Sequence, residues 1–336
     1  MRILLIATIA AVIPAFFTTS SARADDNAPV AIRVATPFAN GQILATTADK
    51  FKEILEERYP GEFQVTVTKS VLDEQKIDPA MTSCDPTQRV ADIIVTGGQP
   101  ISDWAPAYGF INGPYVLKDF SHFQEVWRSD LGEAAADLIK TNGNLVAMEP
   151  VYRGFRQFTS NNKILGPTNF MGLKLRLPNI PDWKTIWSSL GATIVTVSLD
   201  KLYAALQSGL ADASEGDLTQ ITSLKLNEVQ KFLTLTSHLV GFGLPLANAC
   251  FLRDGLEESQ RDKVVRAMND ASDFATQTIL ATEPSLITQL QNATPPMKVV
   301  TPDAAAIRAA AKPAIDNLFA TEWTVTTWDA VLELAK

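Results

Sequence analysis

Two residue periods take turns along the first hundred residues, and that alternation restricts the fold more than any single motif. Ile32, Val34 and Thr36 recur at period two, the mark of a strand. Leu44, Ala48, Phe51 and Leu55 then fall at spacings of four, three and four, one face of a helix. Pro60-Gly61 stops that helix. Phe63, Val65 and Val67 return to period two, and Ile93-Ile94-Val95 is a short apolar run suited to a buried parallel strand. A β-α-β opening of this kind predicts an α/β protein.

The later chain continues in the same idiom. Leu131 to Ile139 reads as a helix, and Phe110 to Val116 and Leu145 to Met148 extend the first lobe. Leu173, Leu175 and Leu177 alternate with Lys174 and Arg176, so the leucines should face a core and Arg176 the other side. Pro178 cannot donate to a sheet ladder, which places Arg176 near the carboxyl end of its strand, the end at which open α/β sheets bind ligands. Spacing alone also allows Arg176 a surface ion pair. Trp183, Ile186, Trp187 and Leu190 recur at helical spacing up to Gly191, and Thr193 to Val197 reads as a strand. A helix from Asp200 turns Leu202, Ala205 and Leu206 inward and stops at Gly209. Glu257 to Ile279 fits a helix with Val264, Met268 and Phe274 inward, interrupted by Pro295-Pro296; a short strand at Lys298 to Val300 and a helix from Asp303 to Phe319 close the chain.

Residues 1–24 read as an export signal: Arg2, a mostly apolar run from Ile3 to Phe17, and a small-x-small site at Ala22-Arg23-Ala24, with cleavage expected after Ala24. Pro14 and the shortness of the run argue against a permanent anchor. Losing Arg2 and Arg23 from 29 Lys and Arg, against 37 Asp and Glu, gives a mature charge of about −10, which argues against nucleic acid and anionic membrane as partners. The roughly 312 residues that remain suggest two lobes.

Catalytic motifs are scarce. His122 and His238 lack the His-Glu-x-x-His spacing of a zinc hydrolase, no Gly-x-Ser-x-Gly elbow or P-loop is present, and Gly241-Phe242-Gly243 lacks the third glycine of a dinucleotide fingerprint. No metal, cofactor or catalytic residue is therefore assigned, and the chain is not read as an enzyme. Cys84 and Cys250 are open to two readings, a disulfide formed after export or two buried thiols.

Four segments occur in order: Gly154-Phe-Arg156-Gln-Phe-Thr-Ser-Asn161, Gly172-Leu-Lys-Leu-Arg176-Leu-Pro178, Tyr203-Ala-Ala-Leu-Gln-Ser-Gly209 and Glu228-Val-Gln-Lys-Phe-Leu-Thr-Leu-Thr-Ser-His238. They resemble the solute-binding proteins of tripartite ATP-independent periplasmic (TRAP) transporters, and the likeness extends more thinly over the whole mature chain. The resemblance implies a two-lobed periplasmic binding protein fold with a central ligand cleft, hinge strands and a long helix spanning the lobes. It implies residues 25–152 with 240–281 as one lobe and 153–239 with 282–336 as the other. It also implies a protein that captures a small organic acid in the periplasm and hands it to the membrane permease subunits of the transporter; the oligomeric state is open, with a monomer as the default expectation.

The same resemblance gives Arg176 the substrate carboxylate and makes Arg156 its assistant; a guanidinium fork matches a carboxylate with two parallel hydrogen bonds, which Lys cannot do. Arg153 is open to a second anionic group or to solvent. Trp183, Phe242, Trp104 and Tyr115 sit in segments that can line the cleft, although large aromatics are more often core.

Three departures matter. Asn40-Gly41 stands where a His-Pro pair is common, residues 69–89 lack the usual Gln-Leu-Gly, and Asp212-Ala-Ser-Glu-Gly-Asp217 puts Gly216 where an asparagine normally bonds the ligand. Glu215 is kept and could hold a cation with Asp217, or simply belong to a polar loop. Two other readings stand beside the main one, a periplasmic enzyme acting on a small carboxylate on a similar scaffold and a binding protein of an ATP-driven importer.

Overall fold

The strands read from period two are the ones that form. In the computed structural model, which describes residues 28–335 apart from residue 73, β1 (Val30–Thr36) pairs in parallel with β2 (Phe63–Lys69) and with β3 (Ile93–Thr96). The helix Ile43–Arg58 crosses between the first two and buries Leu44, Ala48, Phe51 and Leu55, the stripe that the spacing identified. The expected export segment and its cleavage site lie outside the described residues.

After β4 (Leu145–Ala147), the chain enters β5 (Val151–Ser160), which runs out of the first lobe and into the second. There β6 (Lys174–Leu177), β7 (Thr193–Thr196) and β8 (Ala213–Gly216) pair in parallel, with β8 antiparallel to β5. The 17-residue β9 (Phe232–Asn248) returns along β5, then pairs with β3 and β4. β10 (Lys298–Val300) adds to the amino end of β9. The strand order β2-β1-β3-β9-β5-β8-β6-β7 therefore passes from one lobe to the other through β9 and β5, the two strands that both lobes share.

These shared strands are irregular for a reason. Their register shifts between Tyr152 and Gly154 and again between Arg156 and Phe158, and a bulge re-aims the side chains beside it. Gly154 has φ +87°, a conformation that glycine adopts without strain, and a Cβ on Gly241 would lie 2.5 Å from the Gly154 carbonyl oxygen, so the two backbones cross closely only because residue 241 lacks a side chain.

The helix Glu258–Gln291, about 50 Å long, spans the same crossing. It packs on Ile43–Arg58, then on β5, then on the helix Leu218–Ser223 of the second lobe. Thr276 Oγ1 accepts from the Tyr152 amide at 3.0 Å, and Glu283 Oε1 accepts from the Phe155 amide at 2.9 Å. The helix continues through Pro284 to Gln291, beyond the expected end at Ile279. Phe274, expected inward, is 44% exposed; it lies under the Lys50 ammonium at 4.7 Å, a cation–π contact that serves an aromatic at the surface.

Cys84 and Cys250 form a disulfide, which decides between the two readings left open. A final helix, Trp328–Glu333, had no periodic signal of its own. It docks on the segment before β4, where the Val331 carbonyl meets His122 Nε2 at 2.7 Å and Trp328 Nε1 donates to the Val116 carbonyl at 3.4 Å. Among the described residues, no helix is long and apolar enough to cross a membrane.

Candidate functional site

Arg176 sits on the last turn of pleat before Pro178, as the period-two pattern requires. Leu175 and Leu177 are fully buried in the core, and Arg176 projects to the opposite side, yet it too is buried, with 3% exposure. Its Nε donates to the Val197 carbonyl at 2.7 Å, which orients the guanidinium; its two terminal nitrogens have no hydrogen-bond partner among the described residues. Burial pushes its pKa down to about 10 although Glu215 pulls upward, so it remains a cation at neutral pH. A buried cation with two unpaired donors at one end is built to accept an anion.

The other two arginines are engaged by the protein. Arg156, 6% exposed, grips Glu215 in a fork-to-fork pair, Nε to Oε2 at 2.5 Å and Nη2 to Oε1 at 2.9 Å. Burial opposes the charge on Arg156, but Glu215 outweighs it and holds the guanidinium above its usual value. Burial likewise pulls the Glu215 carboxyl up, while Arg156 and His238 hold it well below the carboxylate range. His238 lies 3.5 Å behind Glu215, bonded to Thr236 at 2.8 Å, and burial lowers its pKa despite the Glu215 charge. Arg153 pairs with Asp217 at 2.8 Å and stacks over the Phe38 ring at 4.5 Å. Glu215 and Asp217 are thus each held by an arginine.

The three arginines line a narrow cleft between the lobes, whose cavity volume is ≈ 30 Å³. Arg153, Arg156, Arg176, Trp183 and Phe242 all face it, and Arg156 stacks 5.1 Å over the Trp183 ring. The Trp183 indole donates to the Asn112 carbonyl at 2.6 Å, a bond from the second lobe to the first. Gly216 lies behind the cleft, paired with Gln157, and Gln220 Nε2 stands 2.6 Å from where its Cβ would be. Asn40 is exposed at the rim, bonded to Lys69 at 2.8 Å, and Trp104 packs beneath Gly143; neither lines the cleft. Tyr115 is buried against Trp187 and His238 instead.

Sequence reasoning missed Glu74, Asn112 and Gln220, which also line the cleft. Glu74 comes from the polar segment that matched no expected motif, and nothing in its local pattern marks it. Gln220 had a partial signal, since a glycine at 216 leaves space that a neighbour must fill.

Residues 34–322 match the family model described as DctP, bacterial extracellular solute-binding protein, family 7. The sialic acid-binding periplasmic protein SiaP of Vibrio cholerae is 28% identical over 297 residues, covering 88% of this chain and 90% of its own. A TRAP periplasmic solute-binding protein from Shewanella oneidensis, solved with bound succinate, superposes with a TM-score of 0.84 at 20% identity, covering 92% of this chain and all of its own. Another, from Roseobacter denitrificans with bound L-galactonate, gives 0.78 at 24% identity with the same coverage. The topology in which two strands and one long helix join both lobes around an arginine-lined cleft has the same explanation as these similarities: the chain belongs to the DctP family of bacterial extracellular solute-binding proteins, the solute-binding proteins of TRAP transporters.

Proposed function

We propose that this protein captures a small organic acid in the periplasm by closing its lobes around the acid, and delivers it to the membrane permease subunits of a TRAP transporter. The observation that carries this reading is the Arg176 fork, buried in the cleft with its terminal nitrogens unpaired by the protein. Arg156 positions the site through Glu215, and Trp183 closes it through Asn112. No covalent step is needed: an acid that touches both lobes only when they are together shifts the population toward the closed form. The three relatives support the acid, since succinate, L-galactonate and sialic acid all carry a carboxylate.

The same proposal takes residues 1–24 as the cleaved export signal. It takes residues 25–152 with 240–281 as the first lobe and 153–239 with 282–336 as the second, with a monomer as the working unit. Calorimetry with the cognate acid tests it. Arg176→Ala should fold normally and bind roughly 100-fold more weakly or worse, because stranding a buried charge costs about 3 to 5 kcal/mol. Affinity within twofold of the parent would remove Arg176 from the site.

A further inference from the structure

Glu74 is the carboxylate in the cleft that no arginine has paired with. Its Oε1 accepts from the Gly97 amide at 2.9 Å, and a Cβ at position 97 would lie 2.2 Å from that oxygen, so the carboxylate reaches its place because residue 97 is glycine. The same Cβ would lie 3.1 Å from Arg153 Nη1, which puts Glu74 and Arg153 over one patch of backbone. Glu74 shares the cleft with all three arginines and shares the adjoining recess with Arg176 alone. Its charge acts on both Arg156 and Arg176, and among the described residues it forms no close ion pair.

The charges of the cleft follow from this arrangement. Arg153 is balanced by Asp217 and Arg156 by Glu215, which leaves Arg176 and Glu74. One ligand carboxylate on Arg176 is welcome there. A second would enter a low-dielectric site beside Glu74, and like charges in such a place repel strongly. The other wall adds a complementary group: Gln220, 3% exposed, lines the cleft and folds its carboxamide over Gly216, and its buried Nε2 is a donor that has no partner. Glu74 accepts and Gln220 Nε2 donates. A hydroxyl satisfies both, an ammonium only the first, and a methylene neither.

We propose that Glu74 from the first lobe and Gln220 from the second make this a site for a hydroxylated monocarboxylate, one whose acid group lies on Arg176 and whose hydroxyls answer the other two residues, and that Glu74 excludes dicarboxylates. This rests on the organic-acid reading above and names the class within it. A hydroxyl held from both lobes also strengthens closure, since each bond forms only when the lobes meet.

The test is calorimetry on the mature protein with two sets of acids of equal carbon number: threonate, butyrate and succinate, then gluconate, hexanoate and adipate. In at least one set the hydroxylated acid should bind tenfold or more tighter than both others. Glu74→Gln should narrow the gap to the diacid by tenfold or more, and Gln220→Ala should narrow the gap to the alkyl acid by a similar factor. A parent protein that prefers succinate or adipate, or butyrate or hexanoate, overturns the assignment while leaving an organic-acid carrier intact. So do unchanged ratios in both variants, and the parent ranking alone decides the matter if a variant does not fold. Silence from all six acids would contradict the carrier reading itself.

Discussion

Three buried arginines reach one cleft, and their chemistry differs because their neighbours differ. Arg156 and Arg153 hold carboxylates of the protein; Arg176 holds only a backbone carbonyl, so its fork is left for a ligand. The carboxylate side of this network makes the fold acid-sensitive in a defined way. Glu215 and Asp217 have folded pKa values below their ordinary ones because arginines outweigh burial, and burial lowers that of His238. A group with a depressed folded pKa contributes stability above its unfolded value and loses it as pH falls. The melting temperature should therefore be flat near neutrality, decline as pH passes below about 6.5 with His238, and decline again below about 4 with the carboxylates. Asp103, Asp182 and Glu283, raised by burial, oppose the second decline. In a pH series, His238→Gln should lose the first decline and keep the second; an unchanged first decline would clear His238 of the effect. Arg176 was legible in the sequence because period two and Pro178 act locally. The engagement of Arg156 by Glu215 was not, since the partners lie 59 residues apart and meet only through the β5–β8 pairing.

At the scale of elements, strands and helices with a strong period formed where the pattern put them, and the differences arise where packing overrides it. Phe274 keeps helical spacing yet faces out, because the buried stripe of the helix runs through Val264, Met268, Ala271 and Ala275 and leaves residue 274 outside it. The helix Trp328–Glu333 is six residues long, too short to announce itself by period, and exists through its contacts with Val116 and His122. The bulges of β5 could not be read either, since they depend on the register against β9. The Cys84–Cys250 bridge ties the segment before β3 to the short helix Ala249–Asp254 that follows β9. Replacing both cysteines with serine should cost about 2 to 4 kcal/mol in urea unfolding, because the open chain gains entropy. Acid affinity should stay within about twofold, since neither cysteine lines the cleft. A large loss of affinity at unchanged stability would mean that the bridge shapes the site.

For the whole molecule, two lobes, two shared strands and one long helix make a hinge whose closed state is held by contacts on both sides of the cleft. Trp183 to Asn112 is one, and the Ile43 amide to Thr219 Oγ1 at 3.4 Å is another. The α/β class and the two-lobed form were legible from the alternation of periods together with the family resemblance; the seating of Glu74 and the close crossing of β5 and β9 were not, because they rest on glycines at 97 and 241 whose role appears only in the folded chain. The central claim is that an acid group lies on Arg176 between the lobes. A crystal structure of the mature protein with its tightest-binding acid measures this directly. The account predicts a carboxylate within about 3 Å of both terminal nitrogens of Arg176, with ligand contacts from the two lobes at once; a carboxylate held elsewhere, with the Arg176 fork turned to solvent, would contradict it.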